Sequence, residues 1–334
     1  MAEPKHDYPN DTNIDEKDQK PSKQPGSDTP KKRNFTQRQR NIASGYLFIS
    51  PFYLLFAVFG VFPILFSFYL AFFRWDGLGP MEFVGFNNFA IIFNDPLFWK
   101  SIYNTIIIGI MGTAPQLIVA ILIAFALNSA LIRMKSIFRL AIFLPYVTSI
   151  VAVAIVFSVI FSNQDSGLVN SVIVFFGGDP VTWTRSEWGT KFAISAMVFW
   201  RWVGYNTIIY LAGMQSIPND LYEAAKMDGA TIRQQIQYIT IPMLKPFILF
   251  TVFTATIGAL QIFAEPHIFQ GRGGRPEGIS VVLYLYRDAF NSNAFGTASA
   301  TAIVLFFIII IFSTMNMYVT NRIGQPAKRK KVKA

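Results

Sequence analysis

Long apolar stretches alternate with polar segments along most of this 334-residue chain. A membrane-crossing helix needs ~20 apolar residues, and six stretches reach about that length, at residues 45–73, 102–131, 137–161, 192–214, 247–268 and 298–319. Membrane strands are excluded because these runs lack the two-residue alternation of a barrel, and helices are the remaining form that satisfies the backbone in lipid. Interior prolines predict kinks rather than breaks, and they are Pro51, Pro63, Pro115 and Pro145. The pattern predicts an all-α integral membrane domain of six transmembrane helices over residues 43–322.

Polar segments flank this domain at both ends. Residues 1–42 show no periodicity and are rich in Pro, Lys, Asp and Gln. We expect a disordered tail there, because such a segment buries too little apolar surface to offset its chain entropy. No apolar signal-peptide core occurs in the first 30 residues, so the first helix is expected to be retained. Residues 323–334 form a short basic tail.

Composition supports the membrane interpretation and narrows the chemistry. Hydrophobic residues make up 52% of the chain and charged residues only 14%, a balance that favours the bilayer as solvent. Cysteine is absent, which excludes disulfides, thiolate metal sites and cysteine nucleophiles. The chain has two histidines, too few for histidine-rich metal chemistry. We therefore predict no metal site and no cofactor.

The distribution of positive charge predicts the orientation in the membrane. Of the 29 lysine and arginine residues, 21 lie in the two tails and in the second and fourth connections, whereas seven lie in the other connections. Positive charge concentrates on the cytoplasmic side, so both termini and the fourth connection are predicted to be cytoplasmic. The net charge of +10 is then explained by topology and by contact with anionic lipid headgroups, and no nucleic-acid partner is expected.

The fourth connection, residues 216–246, is a polar insert whose pattern predicts two short helices. Asp220 and Glu223 have the three-residue spacing of a capping box at the start of the first helix. Gly229 can adopt positive φ and is expected to end or bend that helix. One small apolar face of the first helix is formed by Leu221, Ala224 and Ala225.

A second helix is predicted to begin near Thr231 and to end at Pro242. Its apolar stripe consists of Ile232, Ile236 and Ile239, and its polar face consists of Arg233, Gln234, Gln235 and Gln237. Such a helix pair could dock a partner protein, or it could lie on the membrane surface. The physical pattern by itself favours neither.

The order of residues in the insert resembles the coupling-loop signature of permease subunits in binding-protein-dependent ABC importers. That signature is Glu-Ala-Ala, three residues, Gly, nine residues, Ile, one residue, an aliphatic residue and Pro. It is carried here by Glu223, Ala224, Ala225, Gly229, Ile239, Ile241 and Pro242, where Ile241 replaces the family's usual Leu.

Most of residues 40–320 resemble the larger maltose-type permease subunit of the carbohydrate-uptake branch. The segments that carry this resemblance include Trp75-Asp76-Gly77, Asp95-Pro96-Leu97-Phe98-Trp99, Leu144-Pro145-Tyr146 and Gly204-Tyr205-Asn206. A one-residue insertion in Gly273-Gly274-Arg275-Pro276 departs from the family's Gly-Gly-Pro.

The resemblance implies an ABC importer permease fold with defined partners. These are a second homologous permease subunit in a heterodimer, a cytoplasmic ATPase dimer and an extracellular or periplasmic solute-binding protein that delivers a sugar. The insert, including Asp228, would dock in a cleft of the ATPase, where Glu223 would pair with a basic residue and Gly229 would permit the bend. No Gly-x-x-x-x-Gly-Lys-Ser/Thr phosphate loop occurs in the sequence. We therefore expect a transport subunit that is not itself an enzyme.

A polar group within the apolar stretches is the candidate solute path. An arginine in the bilayer costs about 2.5–3.5 kcal/mol on insertion scales, so Arg201 needs a partner or water. Sugars bind to aromatic faces and to amide or carboxylate groups, and the candidates of these types are Arg201, Tyr205, Asn206, Gln261 and Glu265. The alternative is that aromatic residues mark the membrane interface and that Arg201 forms a structural ion pair with Glu265.

Two other classes of protein compete with this interpretation. An ion-coupled secondary transporter of a small polar solute would more often show repeat symmetry, more spans and paired acids near the midplane. A membrane enzyme would need a cluster of acid, base or nucleophile residues, and none is evident in the sequence.

Overall fold

The computed structural model describes residues 37–129, 134–271 and 274–322, so the predictions for the tails at 1–36 and 323–334 lie outside the described residues. The α-helices are α1 (Gln37–Phe56), α2 (Phe62–Leu70), α3 (Asn87–Asn94), α4 (Pro96–Asn128), α5 (Lys135–Val147), α6 (Ile150–Ile160), α7 (Leu168–Phe175), α8 (Glu187–Gln215), α9 (Asn219–Met227), α10 (Ile232–Gln235), α11 (Ile241–Leu260), α12 (Ala264–Gln270), α13 (Val281–Phe290) and α14 (Phe295–Arg322). Two π-helical turns, π1 (Ala57–Val61) and π2 (Ile236–Thr240), lie between helices. One antiparallel ribbon pairs β1 (Phe73–Arg74) with β2 (Glu82–Phe83). The predicted all-α class is confirmed.

The described part of the chain divides into two units at the boundary between residues 57 and 58. In the first unit, α1 begins at Gln37, so residues 37–42 are helical although they were predicted to belong to the disordered tail. The described side chains of this unit are all exposed, and Phe48 reaches 85% exposure. Exposed aromatic and aliphatic side chains along a whole helix are typical of contact with lipid.

Four helical segments of the described chain are long and apolar enough to cross a membrane, namely Asn41–Leu70, Pro96–Asn128, Ile232–Gln270 and Phe295–Val319. A fifth is obtained if α5 and α6 together form one span. The fourth predicted span corresponds to α8, which has 29 residues but falls outside this apolar set. Its polar side chains include Lys191, Arg201 and Asn206. Six spans therefore remain a prediction.

The third predicted span, residues 137–161, is not a single kinked helix. α5 and α6 meet at 94°, and the chain leaves the helical conformation at Thr148, where ψ is 143°. Pro145 cannot donate a backbone hydrogen bond, and the Thr148 hydroxyl donates to the Leu144 carbonyl at 2.8 Å. The break therefore lies three residues beyond the proline, and the N–H of Thr148 also donates to the Leu144 carbonyl, at 3.2 Å, so that Thr148 closes the last turn of α5.

Small residues set the packing of α4 and α5 against α8. Ser195 on α8 donates to the Ile108 carbonyl of α4 at 3.2 Å, and a Cβ at Gly112 would stand 3.2 Å from the Ser195 carbonyl oxygen. α5 approaches more closely still, because the Ile142 carbonyl oxygen occupies the space that a Cβ at Gly204 would need. This contact brings the end of α5 onto the polar face of α8.

A cluster of acids joins α13 to the residue that caps α4. The Tyr284 hydroxyl donates to Asp95 Oδ2 at 2.7 Å. Burial raises the pKa of Asp288 to about 6, and Asp95 adds to this shift, whereas a hydrogen bond with Thr297 and the charge of Arg287 oppose it. The ionised form of the Asp288 carboxyl group is therefore less favourable in the folded protein than in the unfolded chain.

Asp288→Asn is expected to stabilise the protein at neutral pH. Because the folded pKa lies above the ordinary value of 3.8, the native state binds more protons between about pH 4 and pH 6 and loses stability as pH rises through that window. A two-unit shift corresponds to at most about 3 kcal/mol, and partial exposure reduces this to about 1–2 kcal/mol. Thermal unfolding of the wild type and the variant should differ at pH 7.5 and converge near pH 4. An equal difference at both values would contradict the assignment.

Candidate functional site

A cavity of about 460 Å³ lies among α4, α5, α8, α11 and α12. Its walls combine aromatic, amide and hydroxyl side chains with one arginine and one glutamate, a composition suited to a polar organic ligand. The lining residues are Thr113, Gln116, Tyr146, Val198, Arg201, Trp202, Tyr205, Asn206, Thr254, Ala255, Gly258, Ala259, Gln261, Ile262, Phe263, Ala264 and Glu265.

All five residues predicted for the solute path line this one cavity. Arg201, Tyr205 and Asn206 lie on α8, where the four-residue spacing of the first two places them on one face. Gln261 and Glu265 lie beyond the end of α11, at and after a short non-helical break that precedes α12. The structure thus brings the two predicted groups together, while their contact with a solute stays a prediction.

Three aromatic rings form one wall of the cavity. Tyr146 stacks on Tyr205 with ring centroids 4.6 Å apart, and Trp202 meets Tyr205 edge-on at 5.7 Å. Tyr146 and Trp202 are themselves 5.2 Å apart. Tyr146 comes from α5, so this wall depends on the close approach of α5 to α8 at Gly204.

The only ionic side chains among the lining residues form a loose pair. Arg201 Nη1 lies 3.8 Å from Glu265 Oε1, and their side chains are 19% and 7% exposed. The guanidinium carbon also lies 5.7 Å from the centre of the Trp202 ring, within cation–π range. The structure therefore contains the ion pair with Glu265 that the sequence allowed as an alternative to a solute contact for Arg201. This pair lies in the cavity wall.

The prediction from sequence missed Gln116, Tyr146 and Trp202. Gln116 on α4 is 1% exposed, and its Nε2 has no hydrogen-bond partner. A polar amide inside an apolar helix is costly unless it meets water, a partner or a ligand, and this rule alone could have singled out Gln116.

Within the described residues, no group of three or more His, Cys, Asp or Glu side chains could hold a metal ion.

The insert forms two helices joined by a glycine turn. Gly229 has φ of +77°, its N–H donates to Lys226, and the N–H of Ala230 donates to Ala225 at 2.9 Å. These two bonds are the Schellman arrangement at a helix C-terminus. Glu223, Ala224 and Asp228 are exposed, whereas Ala225 is half-buried.

The start of the first helix differs from the prediction. Pro218 is the N-cap residue of α9 and provides no side-chain cap. Asp220 lies inside the first turn, where its negative charge interacts favourably with the positive end of the helix dipole. The chain enters α9 two residues earlier than a capping box at Asp220 requires, because the backbone at Pro218 is already extended, with ψ of 132°.

Side chains brace the second helix against the first. Thr231 and Gln234 form a capping box, as the predicted start near Thr231 requires. Gln235 was predicted on the polar face but is buried, and its Nε2 donates to the Ala230 carbonyl at 3.1 Å. The hydroxyls of Tyr222 and Thr240 are 2.8 Å apart and join α9 to π2.

Pro242 does not end the second helix. Backbone helix continues from α10 through π2, which contains Ile239, into α11, and Pro242 occupies the beginning of α11. In π2 the N–H of Ile241 donates to the Ile236 carbonyl, and this wider turn accommodates a residue that has no N–H and a bulky ring. The insert is therefore continuous with the helix whose far end reaches the cavity.

Residues 116–325 match the family described as the binding-protein-dependent transport system inner membrane component. The match covers more than half of the chain, so the chain belongs to this family of multi-pass membrane subunits of transporters.

Relatives in several bacteria extend this similarity over most of the chain. The lactose transport system permease protein LacF of Rhizobium radiobacter is 37% identical over 280 residues, which is 82% of this chain and 93% of that protein. The arabinooligosaccharides transport system permease protein AraP of Bacillus subtilis is 34% identical over 276 residues, 82% of this chain and 88% of that protein.

The fold is similar to that of a solved bacterial ABC transporter involved in import of the acidic polysaccharide alginate. The TM-score is 0.75 at 23% identity, over 87% of this chain and 100% of that one. A second structure, of a bacterial alginate ABC transporter in complex with a periplasmic protein that holds an alginate pentasaccharide, gives a TM-score of 0.71 at 22% identity, over 87% and 98% of the two chains.

Proposed function

We propose that this chain is a membrane-spanning permease subunit of an ATP-driven importer for a sugar or oligosaccharide. The observation that carries the proposal is the cavity, in which aromatic rings and amide groups converge within the membrane domain. Membership of a binding-protein-dependent family and relatives named for sugar transport support the same solute class. An ion-coupled secondary transporter is disfavoured by that family membership.

The proposed solute path runs through the cavity along α8. Tyr205, Tyr146 and Trp202 would contact the apolar faces of the sugar ring, and Asn206 and Gln261 would bind its hydroxyls. Asn206 is 2% exposed and its Nδ2 contacts the Trp202 carbonyl at a long 3.3 Å, which leaves its oxygen available to a sugar hydroxyl.

The insert is proposed as the docking site for a separate ATPase dimer. Its exposed Glu223 and Asp228 present two carboxylates, and the continuous backbone from α10 to α11 offers a mechanical path from the insert to the cavity. This assignment requires the insert to be cytoplasmic, and with six spans both termini would lie on the same side as the insert. The remaining proposed partners are a homologous second permease and a binding protein on the opposite side.

Asn206→Ala and Gln261→Ala should each lower sugar uptake about tenfold, because a lost hydrogen bond to a polar ligand is worth ~1 kcal/mol or somewhat more. The measurement is ATP-dependent uptake of a sugar panel by the reconstituted importer, with its binding protein at saturation. Asn94→Ala, which alters an exposed amide on α3, is the matched control and should transport normally. Unchanged rates in both cavity variants would remove these residues from the path.

A separate experiment distinguishes the energy source. Uptake into vesicles that contain ATP should persist when proton and sodium gradients are collapsed. Loss of uptake under those conditions, with ATP still present, would favour the ion-coupled alternative.

A further inference from the structure

The charges in the cavity wall cancel. Arg201 and Glu265 are the only ionic residues among the described residues that line it, and they lie in contact range of each other on two helices, α8 and α12. The cavity surface therefore presents no net charge to a solute. A charged solute would leave its water shell and receive no compensating charge there, which is unfavourable in a low-dielectric site.

Arg201 retains hydrogen-bonding capacity despite its charge partner. The 3.8 Å separation from Glu265 is too long for a hydrogen bond, and Arg201 Nε is buried without a hydrogen-bond partner. Gln116 Nε2, on α4, is also buried without one. Both side chains line the cavity, and the Arg201 side chain is 19% exposed, so its guanidinium has donors that Glu265 leaves available to a ligand that supplies acceptors.

Neutral hydroxyl groups match this combination and carboxylates do not. A hydroxyl accepts from a guanidinium or amide N–H and brings no charge, whereas a carboxylate at Arg201 would also face the Glu265 carboxylate. The ion pair has two effects. Glu265 cancels the charge of Arg201, and it lies too far away to accept hydrogen bonds from the Arg201 donors.

We propose that the Arg201–Glu265 pair makes this cavity selective for neutral sugars over acidic ones, with Glu265 as the residue that excludes carboxylates. This inference rests on the proposed function, in that it assumes that the cavity is the sugar path. It assigns Arg201 the role of a hydrogen-bond donor to sugar hydroxyls. Selectivity of this kind operates in the permease and is separate from whatever the binding protein selects.

The test uses the purified, fully assembled importer without its binding protein. Galactose and galacturonate are the probes, because they share one ring and differ at carbon 6, where the latter carries a carboxylate. Binding is followed by intrinsic fluorescence, since Trp202 lies in the cavity wall. The wild-type complex should bind galactose at least about tenfold more tightly than galacturonate.

Glu265→Gln should abolish this preference. The uncompensated Arg201 should increase galacturonate affinity by about tenfold or more, as expected for a unit charge a few ångströms away in a partly solvated site. The double variant Arg201→Gln, Glu265→Gln restores neutrality and is the matched control, and it should lose that gain. Assembly of each complex is checked by size-exclusion chromatography.

Gln261→Lys provides a second test that leaves the pair intact. Gln261 is exposed to the cavity, so the added cation should not disturb folding, and it should also raise galacturonate affinity, whereas Gln261→Glu should lower it. If assembled Glu265→Gln and Gln261→Lys complexes bind galactose but discriminate against galacturonate as the wild type does, the selectivity proposal is wrong and the sugar path stands. If neither the wild type nor any variant responds to either sugar, and Asn206→Ala and Gln261→Ala also transport sugar at the wild-type rate, the proposed path itself is wrong.

Discussion

Gly229→Val is expected to lower ATP-coupled uptake by tenfold or more while the subunit still inserts in the membrane. Gly229 adopts φ of +77°, a conformation that costs an L-residue about 1–2 kcal/mol and costs a β-branched residue more. The two hydrogen bonds that end α9 depend on this conformation. The insert is small and exposed, so it has little burial with which to offset the strain, and the exposed carboxylates of α9 would lose their orientation relative to α10.

The control for this prediction is Gly229→Asn, because asparagine tolerates the left-handed conformation. No atom lies within 4 Å of a Cβ built at Gly229, so the two variants differ in backbone preference and not in a clash within the subunit. Uptake, sugar-stimulated ATP hydrolysis and co-purification of the ATPase should fall for Val and be largely retained for Asn. Normal coupling in Gly229→Val would remove the glycine turn from the docking role.

Gly204→Ala is expected to disrupt the cavity and to destabilise the permease. A methyl group at this position would collide with the Ile142 carbonyl oxygen, and backbone atoms cannot rotate aside as a side chain can. Overpacking in a close-packed interior costs about 1–3 kcal/mol or more, which corresponds to about 3–10 °C in a domain of this size. Displacement of α5 would also carry Tyr146 away from Tyr205, so uptake should fall as well.

Gly258→Ala is the matched control for this second prediction. Gly258 also lines the cavity, but its Cβ would meet nothing within 4 Å. Thermal denaturation of the detergent-solubilised protein should show a lower midpoint for Gly204→Ala and a near-native midpoint for Gly258→Ala. Equal midpoints in both variants would show that the packing of α5 against α8 does not depend on the absence of a side chain at Gly204.

Local sequence determined the elements that depend on neighbouring residues. Apolar runs of bilayer length predicted helices because lipid forbids unpaired backbone groups. Gly229 ended its helix and Thr231 began the next because both effects are local to one turn. Arg201 and Tyr205 shared a face because they are four residues apart. The cost of an arginine in lipid likewise predicted a partner, and Glu265 lies within ion-pair range.

Only the tertiary structure decided which helices meet and where they break. Nothing within α5 or α8 alone places Tyr146 on Tyr205, since that contact depends on the absence of a side chain at Gly204 in a distant segment. Pro145 and Pro242 both occur in apolar helices, yet one precedes a 94° break and the other sits in an uninterrupted helix after a π turn. A proline is accommodated within a helix where a wider turn leaves room for its ring and its missing N–H, as π2 does before Pro242. The sequence thus determined the helices and their polar faces, and packing determined that five predicted residues and Gln116 share one cavity.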